Sequence, residues 1–491
     1  MLETDYPSAN SKIKFDTFKD KLLNDYKLAV LSRECSLLGR KEVLTGKAKF
    51  GVFGDGKELP QVVLSHFFKE GDYRAGYYRD QTILMGQNLL TPKQFFSNLY
   101  ANPNIKEEPM SGGRQMGAHF STPSINERGE WLDLTSQYNH TSDISPTAGQ
   151  IPRSIGLALA SKLYRNIDSE IKNKFTINGN EICWATIGNA STSQGIFFEA
   201  MNAAAVIQIP LIMSVWDDGY GISVDNKIQT VKSSISEALL GFSSKYDDKP
   251  LKIFRVNGWD YSKMIEVYSE AEEIARKNHT PVLIHVDELT QPLGHSSSGS
   301  HQRYKSEERL KWEKKFDCNL KFRQWIIENN LATEGKLNEI EESCKNIVKE
   351  SKIKAWDSYQ KPIKNLNEEL LEILNKILKN SNNDVNLKIW IESLKNKKEL
   401  IYKDLLQVAK KTVRKFRKTN NQDVLVLKNW IKNLDVQLES KFSSHLYSQT
   451  KFRSKNIDPI QPKYENTEIV DGRVIIRDNF KLLMNKNNKI L

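Results

Sequence analysis

The chain is 491 residues long, 39% hydrophobic and 27% charged, with a mean hydropathy of −0.55. That length suits two or three domains, and the composition supplies a core beneath a charged surface, which argues against a mostly disordered chain. Lys and Arg outnumber Asp and Glu by 72 to 61, for a net charge of +11, and no run approaches the roughly 18 apolar residues of a membrane span.

The opening MLETDYPSANSK lacks the apolar core and basic flank of a secretory signal. Cys35, Cys183, Cys318 and Cys344 are scattered, without a CxxC pair or zinc-ligand spacing. Both features lead us to expect a cytoplasmic protein in a reducing compartment. The positive excess leaves two readings open, an acidic or nucleic-acid partner and a merely solvated surface.

By texture the chain divides into an N-terminal extension (1–25), a mixed α/β region (26–330), a helical connector (331–465) and a short tail (466–491). Near the start, Gly39 and Gly46-Lys47 imitate a phosphate-binding loop, but the spacing is too long and Ala48 replaces the Ser or Thr. Gly54-Asp55-Gly56 is followed by no Asn or Asp pair at a useful distance.

The segment 181–224 is the most informative. Ile182 to Ile187 reads as a buried strand ending at Gly188, followed by the polar turn Asn189 to Gly195 and a helical pattern from Ile196 to Ile207. Pro210 breaks that helix, and Leu211 to Trp216 forms a second strand ending at Asp217-Asp218-Gly219-Tyr220-Gly221. This is a βαβ unit with parallel strands, so both polar clusters sit at strand carboxyl ends, where open α/β sheets bind ligands. Met264, Tyr268, Ala271 and Ala275 mark the next helix, and Pro281 to Val286 the next strand. The fold class is α/β.

Small residues at 188–191 let a phosphate approach a helix N-terminus, while Asn189 and Asp218 add side-chain oxygens suited to Mg²⁺. The competing reading is an ordinary capped turn. In the connector, Ile401, Leu405, Val408 and Phe416 recur near helical spacing beside the basic run Lys410 to Lys418. That run reads as a DNA-binding helix or, as we favour, as the solvated face of a packed one.

Family resemblance bears on both questions. Gly188-Asn189-Ala190, 26 residues before Asp217-Asp218, resembles the thiamine-diphosphate motif of 2-oxo acid dehydrogenase E1 α subunits, in which GDG or GEG precedes a pair of asparagines. Here Asn189 stands for the family's first acid and Asp218 for its second Asn. The resemblance implies a thiamine-diphosphate-binding fold over 26–330, with a mostly parallel sheet flanked by helices. It implies Mg²⁺ held by Asn189, Asp218 and the Tyr220 carbonyl, with local charge nearly unchanged by the exchange. Tyr78-Arg79 is similar to the Tyr-Arg pair beside thiamine and its diphosphate. Gly113-Arg114-Gln115-Met116 with His119 resembles the GRQMxxH stretch of branched-chain E1 α subunits, and Ser145 to Pro152 resembles their SPLATQIP.

Through these matches the cofactor-binding residues are expected to be Tyr78, Arg79, Ser145, Thr147, Gly188, Asn189, Ala190, Ser191, Asp218 and His295. His295, in LGHSSSGSH, aligns with the histidine of a mobile active-site loop. The expected catalytic residues are His295 and His119, the latter either steering substrate or bonded within the core. Gly149 replaces a Thr that helps hold a monovalent cation in some relatives, so that ion is not expected. Trp216 stands where branched-chain relatives carry an Arg to the diphosphate, so that contact must be lost or supplied elsewhere.

The resemblance implies decarboxylation of a 2-oxo acid and transfer of the acyl group to a lipoyl-bearing E2 partner. A branched-chain acid such as 3-methyl-2-oxobutanoate is the first expectation, with pyruvate and 2-oxoglutarate as alternatives. The other half of the pocket belongs to a β subunit, so turnover is expected only in an α₂β₂ assembly. No membrane or nucleic-acid partner is expected. The tail Val470 to Phe480 resembles the opening of the β half in relatives with fused halves, which also carry the WDDGYGIS form found at 216–223. Two other classes stay in view: a basic nucleic-acid-binding protein and a non-catalytic scaffold paralogue.

Overall fold

The computed structural model describes residues 15–166, 179–243, 251–419, 421–451, 453–459, 461 and 469–486. Most of the expected 1–25 extension and the start of the tail at 466–468 lie outside those residues. One helix, Phe15–Leu44, runs across residue 26 without a break.

Eight strands follow in chain order: β1 Tyr73–Ala75, β2 Asn139–His140, β3 Cys183–Gly188, β4 Leu211–Trp216, β5 Tyr220–Gly221, β6 Val224–Asp225, β7 Lys252–Asn257 and β8 Val282–Asp287. Six of them form one parallel sheet in the order β2-β1-β3-β4-β8-β7, while β5 and β6 make a small antiparallel hairpin. The fold is therefore α/β, as expected.

Strands β3, β4 and β8 are apolar almost throughout because helices cover both faces of the sheet. Side chains alternate between the two cores. Trp184, Ile212, Trp216, Ile284 and Val286 pack on one face against Met264, Tyr268, Ala271 and Ala275 of the helix Tyr261–Asn278. Ala185, Ile187, Met213, Val215 and Leu283 pack on the other against Phe197, Met201 and Ala204 of the helix Gly195–Ile207. The second βαβ unit thus uses the apolar positions read from the sequence.

The sheet has a topological switch between β1 and β3: the chain moves outward from β1 to β2, then returns to the other side of β1 as β3. Such a crevice at the strand carboxyl ends is the default ligand site of an open α/β sheet. Tyr77-Tyr78-Arg79 leave the end of β1, and Gly188-Asn189 the end of β3.

The connector is helical, with Glu334–Lys379, Val385–Asn396, Tyr402–Lys415 and Gln422–Ser443. Its first helix belongs to two cores. Leu337, Cys344, Val348 and Ala355 pack on the α/β body, whereas Ile363, Leu370, Leu374 and Ile377 pack on the later connector helices. Leu405, Val408 and Phe416 are buried as their spacing predicts, while Ile401 is 42% exposed at the helix start. The basic run lies on the outer face of that helix, and its Lys410 and Lys415 approach Asp435 and Asp384 at 3.6 and 2.8 Å.

In the tail, Val474 to Ile476 lie inside the helix Gly472–Lys486, no residue of which is buried. A short apolar run fits either period, and no neighbouring strand among the described residues pairs with this one. No helix among the described residues is long and apolar enough to cross a membrane. All four cysteines are buried and outside any disulfide.

Candidate functional site

Gly188 and Trp216 are directly paired across β3 and β4, so the two polar clusters emerge side by side. After Gly188 the chain makes a short 3₁₀ turn, Asn189–Ser193, before the helix begins. After β4, Gly219 adopts φ +79° and turns the chain into the β5–β6 hairpin. A Cβ on Gly221 would lie 2.6 Å from the Ala190 Cβ, which brings the hairpin close against the 189–193 turn.

Asn189 is held by a buried relay. Its amide nitrogen donates to Asn226 Oδ1 at 3.2 Å, and the Asn226 amide donates to both Asp217 oxygens at 3.2 and 3.0 Å. Asp217 also accepts from the Gly219 N–H at 2.8 Å and lies 2.9 Å from His285 Nε2. With its nitrogen so committed, Asn189 keeps its carbonyl oxygen for a ligand. Asp217 is part of the support, and Asp218 is the acid at the site.

Asp218 already has a cation. The Lys57 ammonium donates to Asp218 Oδ2 at 2.8 Å, to the Thr290 carbonyl at 3.0 Å and to Gln291 Oε1 at 2.6 Å. Burial pulls the Lys57 pKa down, only partly opposed by Asp218. Burial works against charge on Asp218, but Lys57 outweighs it and holds the carboxyl below its ordinary range. Arg309 donates to the Asp218 carbonyl at 2.7 Å, and its guanidinium and the Lys305 ammonium stand over the Tyr220 ring at 5.5 and 5.0 Å.

Arg79, buried, donates to the Phe53 carbonyl at 2.8 Å and to the His295 carbonyl at 2.8 Å, with His295 Nδ1 at 3.0 Å. A guanidinium only donates, so Nδ1 of His295 must accept and the imidazole proton sits on Nε2. Burial, then Arg79, push the His295 pKa down to about 4, which keeps the ring neutral near pH 7. His295 thus offers a neutral N–H donor at the mouth of a cationic site.

Tyr78 lies against both groups, its ring 5.2 Å from the Arg79 guanidinium carbon and 5.6 Å from the His119 ring. His119 Nε2 is 2.7 Å from Ser145 Oγ, and burial lowers the His119 pKa. Thr147 is exposed on the same segment, which Gln150 ties to β3 by donating to the Thr186 carbonyl at 2.8 Å. The structure therefore brings Tyr78, His119 and Ser145 together, Arg79 with His295, and Gly188 to Ser191 with Asp218 and Tyr220. Tyr77, not singled out from sequence, faces Gly188, its hydroxyl 3.5 Å from where a Cβ there would stand.

Trp216 is fully buried and donates to Asp80 Oδ1 at 3.1 Å, so it forms floor rather than phosphate contact. Lys57 and Arg309, absent from the sequence-based set, supply cations near the strand ends instead. Lys57 directly follows Gly54-Asp55-Gly56 in the chain. That loop is itself packed on the site: a Cβ on Gly56, at φ +81°, would be 2.2 Å from the Thr290 carbonyl. No linear signal connects Lys57 with Asp218, which is 161 residues away.

This donor set suits a diphosphate. Arg79, Lys57 and Arg309 put positive charge, and His295 Nε2 a neutral N–H, near the strand ends beside a helix-preceding turn. Metal binding fits less simply. The Asn189 oxygen and the Tyr220 carbonyl are oxygen ligands suited to Mg²⁺, but Asp218 must share its carboxylate with Lys57.

Comparison with known proteins agrees with this chemistry. Residues 26–364 match the family described as dehydrogenase E1 component. The chain belongs to this family. It is 27% identical over 292 residues to the 2-oxoisovalerate dehydrogenase subunit alpha of Bacillus subtilis, covering 59% of this chain and 77% of that protein. It is 30% identical over 203 residues to the pyruvate dehydrogenase E1 component subunit alpha of Rickettsia bellii, covering 41% and 55%. A Caenorhabditis elegans mitochondrial 2-oxoisovalerate dehydrogenase subunit alpha is 26% identical over 305 residues, 62% of each chain. The chain is thus an E1 α subunit of the thiamine-dependent 2-oxo acid dehydrogenases, an oxidoreductase whose family implies thiamine diphosphate as cofactor. E1 α subunits work with a β subunit and an E2 component.

Proposed function

We propose that this E1 α chain binds thiamine diphosphate and Mg²⁺ at the β1/β3 switch point and acts, with a β partner in an α₂β₂ assembly, on a branched-chain 2-oxo acid. The observation that carries the reading is the convergence of Arg79, Lys57, Arg309 and neutral His295 on the strand ends that bear Asn189 and Asp218. When bound, the cofactor supplies the carbanion chemistry by which a 2-oxo acid loses carbon dioxide.

The residues of this chain position and screen. Arg79 and Lys57 neutralise diphosphate charge, and Asn189, Asp218 and the Tyr220 carbonyl hold the ion. Ser145 and Thr147 line the ring side, with His119 fixing Ser145. His295 Nε2–H donates to an anionic oxygen of cofactor or substrate, and Arg79 keeps it in that tautomer. The acyl group then passes to lipoyl-E2. The GRQM stretch favours a branched-chain substrate over pyruvate or 2-oxoglutarate. Four thiols outside any disulfide accord with a cytoplasmic setting.

Calorimetric titration of the α–β complex with thiamine diphosphate, with and without Mg²⁺, tests the site. Saturable 1:1 binding that is lost in Arg79→Met is expected. No binding by the complex would instead favour a scaffold paralogue, a reading kept alive by the Asn189 and Asp218 departures. A panel of 2-oxo acids assayed with lipoyl-E2 tests the substrate, and turnover by this chain alone would refute the need for β.

A further inference from the structure

We propose that the cavity between the α/β body and connector residues 445–448 and 453–455 binds an anionic ligand carrying a planar ring, of the nucleoside phosphate class. Its volume is about 870 Å³, within the range of small-molecule sites. Arg114 and Arg153 line it from the body, and Arg453 and Lys455 from the connector, while no Asp or Glu lines it.

The hydrogen bonds of these cations go to neutral groups, although Glu108, outside the lining, acts on Arg114 through space. Arg114 donates to the Lys441 and Ser444 carbonyls at 3.3 and 3.0 Å, Arg153 to the Ser142 carbonyl at 3.0 Å, and Arg453 to the Gln449 side chain. Among the described residues none of the four forms an ion pair. Like charges converge on a cavity only at an electrostatic cost, and an anion repays it by pairing with several of them at once.

Gln115 and His445 add polar side chains to the lining, one from the body and one from the connector. Trp131 and Tyr447, 61% and 66% exposed, also line the cavity and offer ring faces for stacking. Positive charge with aromatic faces selects a ring-bearing phosphate over a bare anion.

This site is separate from the switch-point crevice, since none of Arg79, Asn189, Asp218 and His295 lines it. It does not rest on the function proposed above. A ligand here touches body and connector together and holds the end of the connector against the body.

The test is calorimetric titration of the α–β complex with ADP, inorganic pyrophosphate and adenosine, all under saturating thiamine diphosphate so that the switch-point crevice does not report. ADP is expected to bind more tightly than pyrophosphate, and adenosine to give no measurable heat. The double variant Arg453→Met/Lys455→Met is expected to weaken ADP at least about tenfold, the loss expected from charge-assisted contacts. Both side chains lie on the part-exposed connector segment, so the melting temperature is expected to stay that of the wild type. No ADP binding, wild-type affinity in the double variant, or pyrophosphate binding as tightly as ADP would each overturn the proposal.

Discussion

The Lys57–Asp218 pair lends itself to a double-mutant cycle. Lys57 is 1% exposed and the Asp218 side chain 12%, with the ammonium 2.8 Å from the carboxylate. Among the described residues, Lys57→Met leaves the carboxylate only the Tyr220 N–H, at 3.1 Å, as a hydrogen-bond donor. Breaking a buried pair by removing one partner costs about 3–5 kcal/mol. The slight exposure of Asp218 places this variant near the lower end, at about 3 kcal/mol. Asp218→Asn leaves the ammonium its Thr290 and Gln291 acceptors, and should cost about 2 kcal/mol. The double variant Lys57→Met/Asp218→Asn removes both charges, so it should be more stable than the sum of the two losses by about 2–3 kcal/mol. Urea denaturation of the four proteins, followed by circular dichroism with matching m values, measures that coupling. Additivity within about 0.5 kcal/mol would refute the claim that these groups form one electrostatic unit.

Below the switch point, Arg74 is fully buried between Asp80 and Asp143 at 2.6 and 2.8 Å, so Arg74→Met should cost about 3–5 kcal/mol in the same denaturation experiment. An effect under about 1 kcal/mol would mean that the carboxylates are relieved some other way. Acid should destabilise the chain partly through His295: the unfolded imidazole takes its proton near pH 6.5, the folded one only near 4. Stability from this group is therefore complete above about pH 6.5 and is lost as pH falls towards 4, because the unfolded state binds more protons there. His295→Gln should flatten that part of the melting-temperature profile, and an unchanged slope would contradict the neutral tautomer. Gly56→Ala forces a side chain into φ +81° and against the Thr290 carbonyl, and should cost about 2 kcal/mol or more by thermal denaturation.

What the sequence made legible was whatever repeats locally. Runs such as Leu211 to Trp216 announce a buried parallel strand because both faces are covered, and the Met264–Ala275 spacing announces a helix because only one face is. Asn189 and Asp218 could be placed at neighbouring strand ends because a βαβ crossover puts them there. Long-range partners carry no such signature. Arg309 in the helix Glu307–Lys315, Asn226 at the start of a short helix and Lys57 from a loop have no local pattern that marks the site, and the Gly54-Asp55-Gly56 stretch was set aside although its loop delivers Lys57.

Lys57 also alters the meaning of the ligand exchange. Read along the chain, Asn189 and Asp218 swap an amide and an acid and leave the local charge nearly unchanged. In three dimensions the acid arrives already paired with an ammonium, so Asp218 and Lys57 together contribute no net charge. A divalent ion there would meet Asn189 and Tyr220 oxygens and a carboxylate that it must share. The diphosphate, by contrast, meets a neutral pair where a lone carboxylate would repel it. The consequence is directional: diphosphate binding in this chain should depend less on Mg²⁺ than it would with a lone carboxylate, and Lys57→Met should make that dependence steeper. Titrating the α–β complex with thiamine diphosphate across a Mg²⁺ series, wild type against Lys57→Met, reads the two slopes directly. Equal slopes would refute the claim that pairing with Lys57 sets the Mg²⁺ dependence.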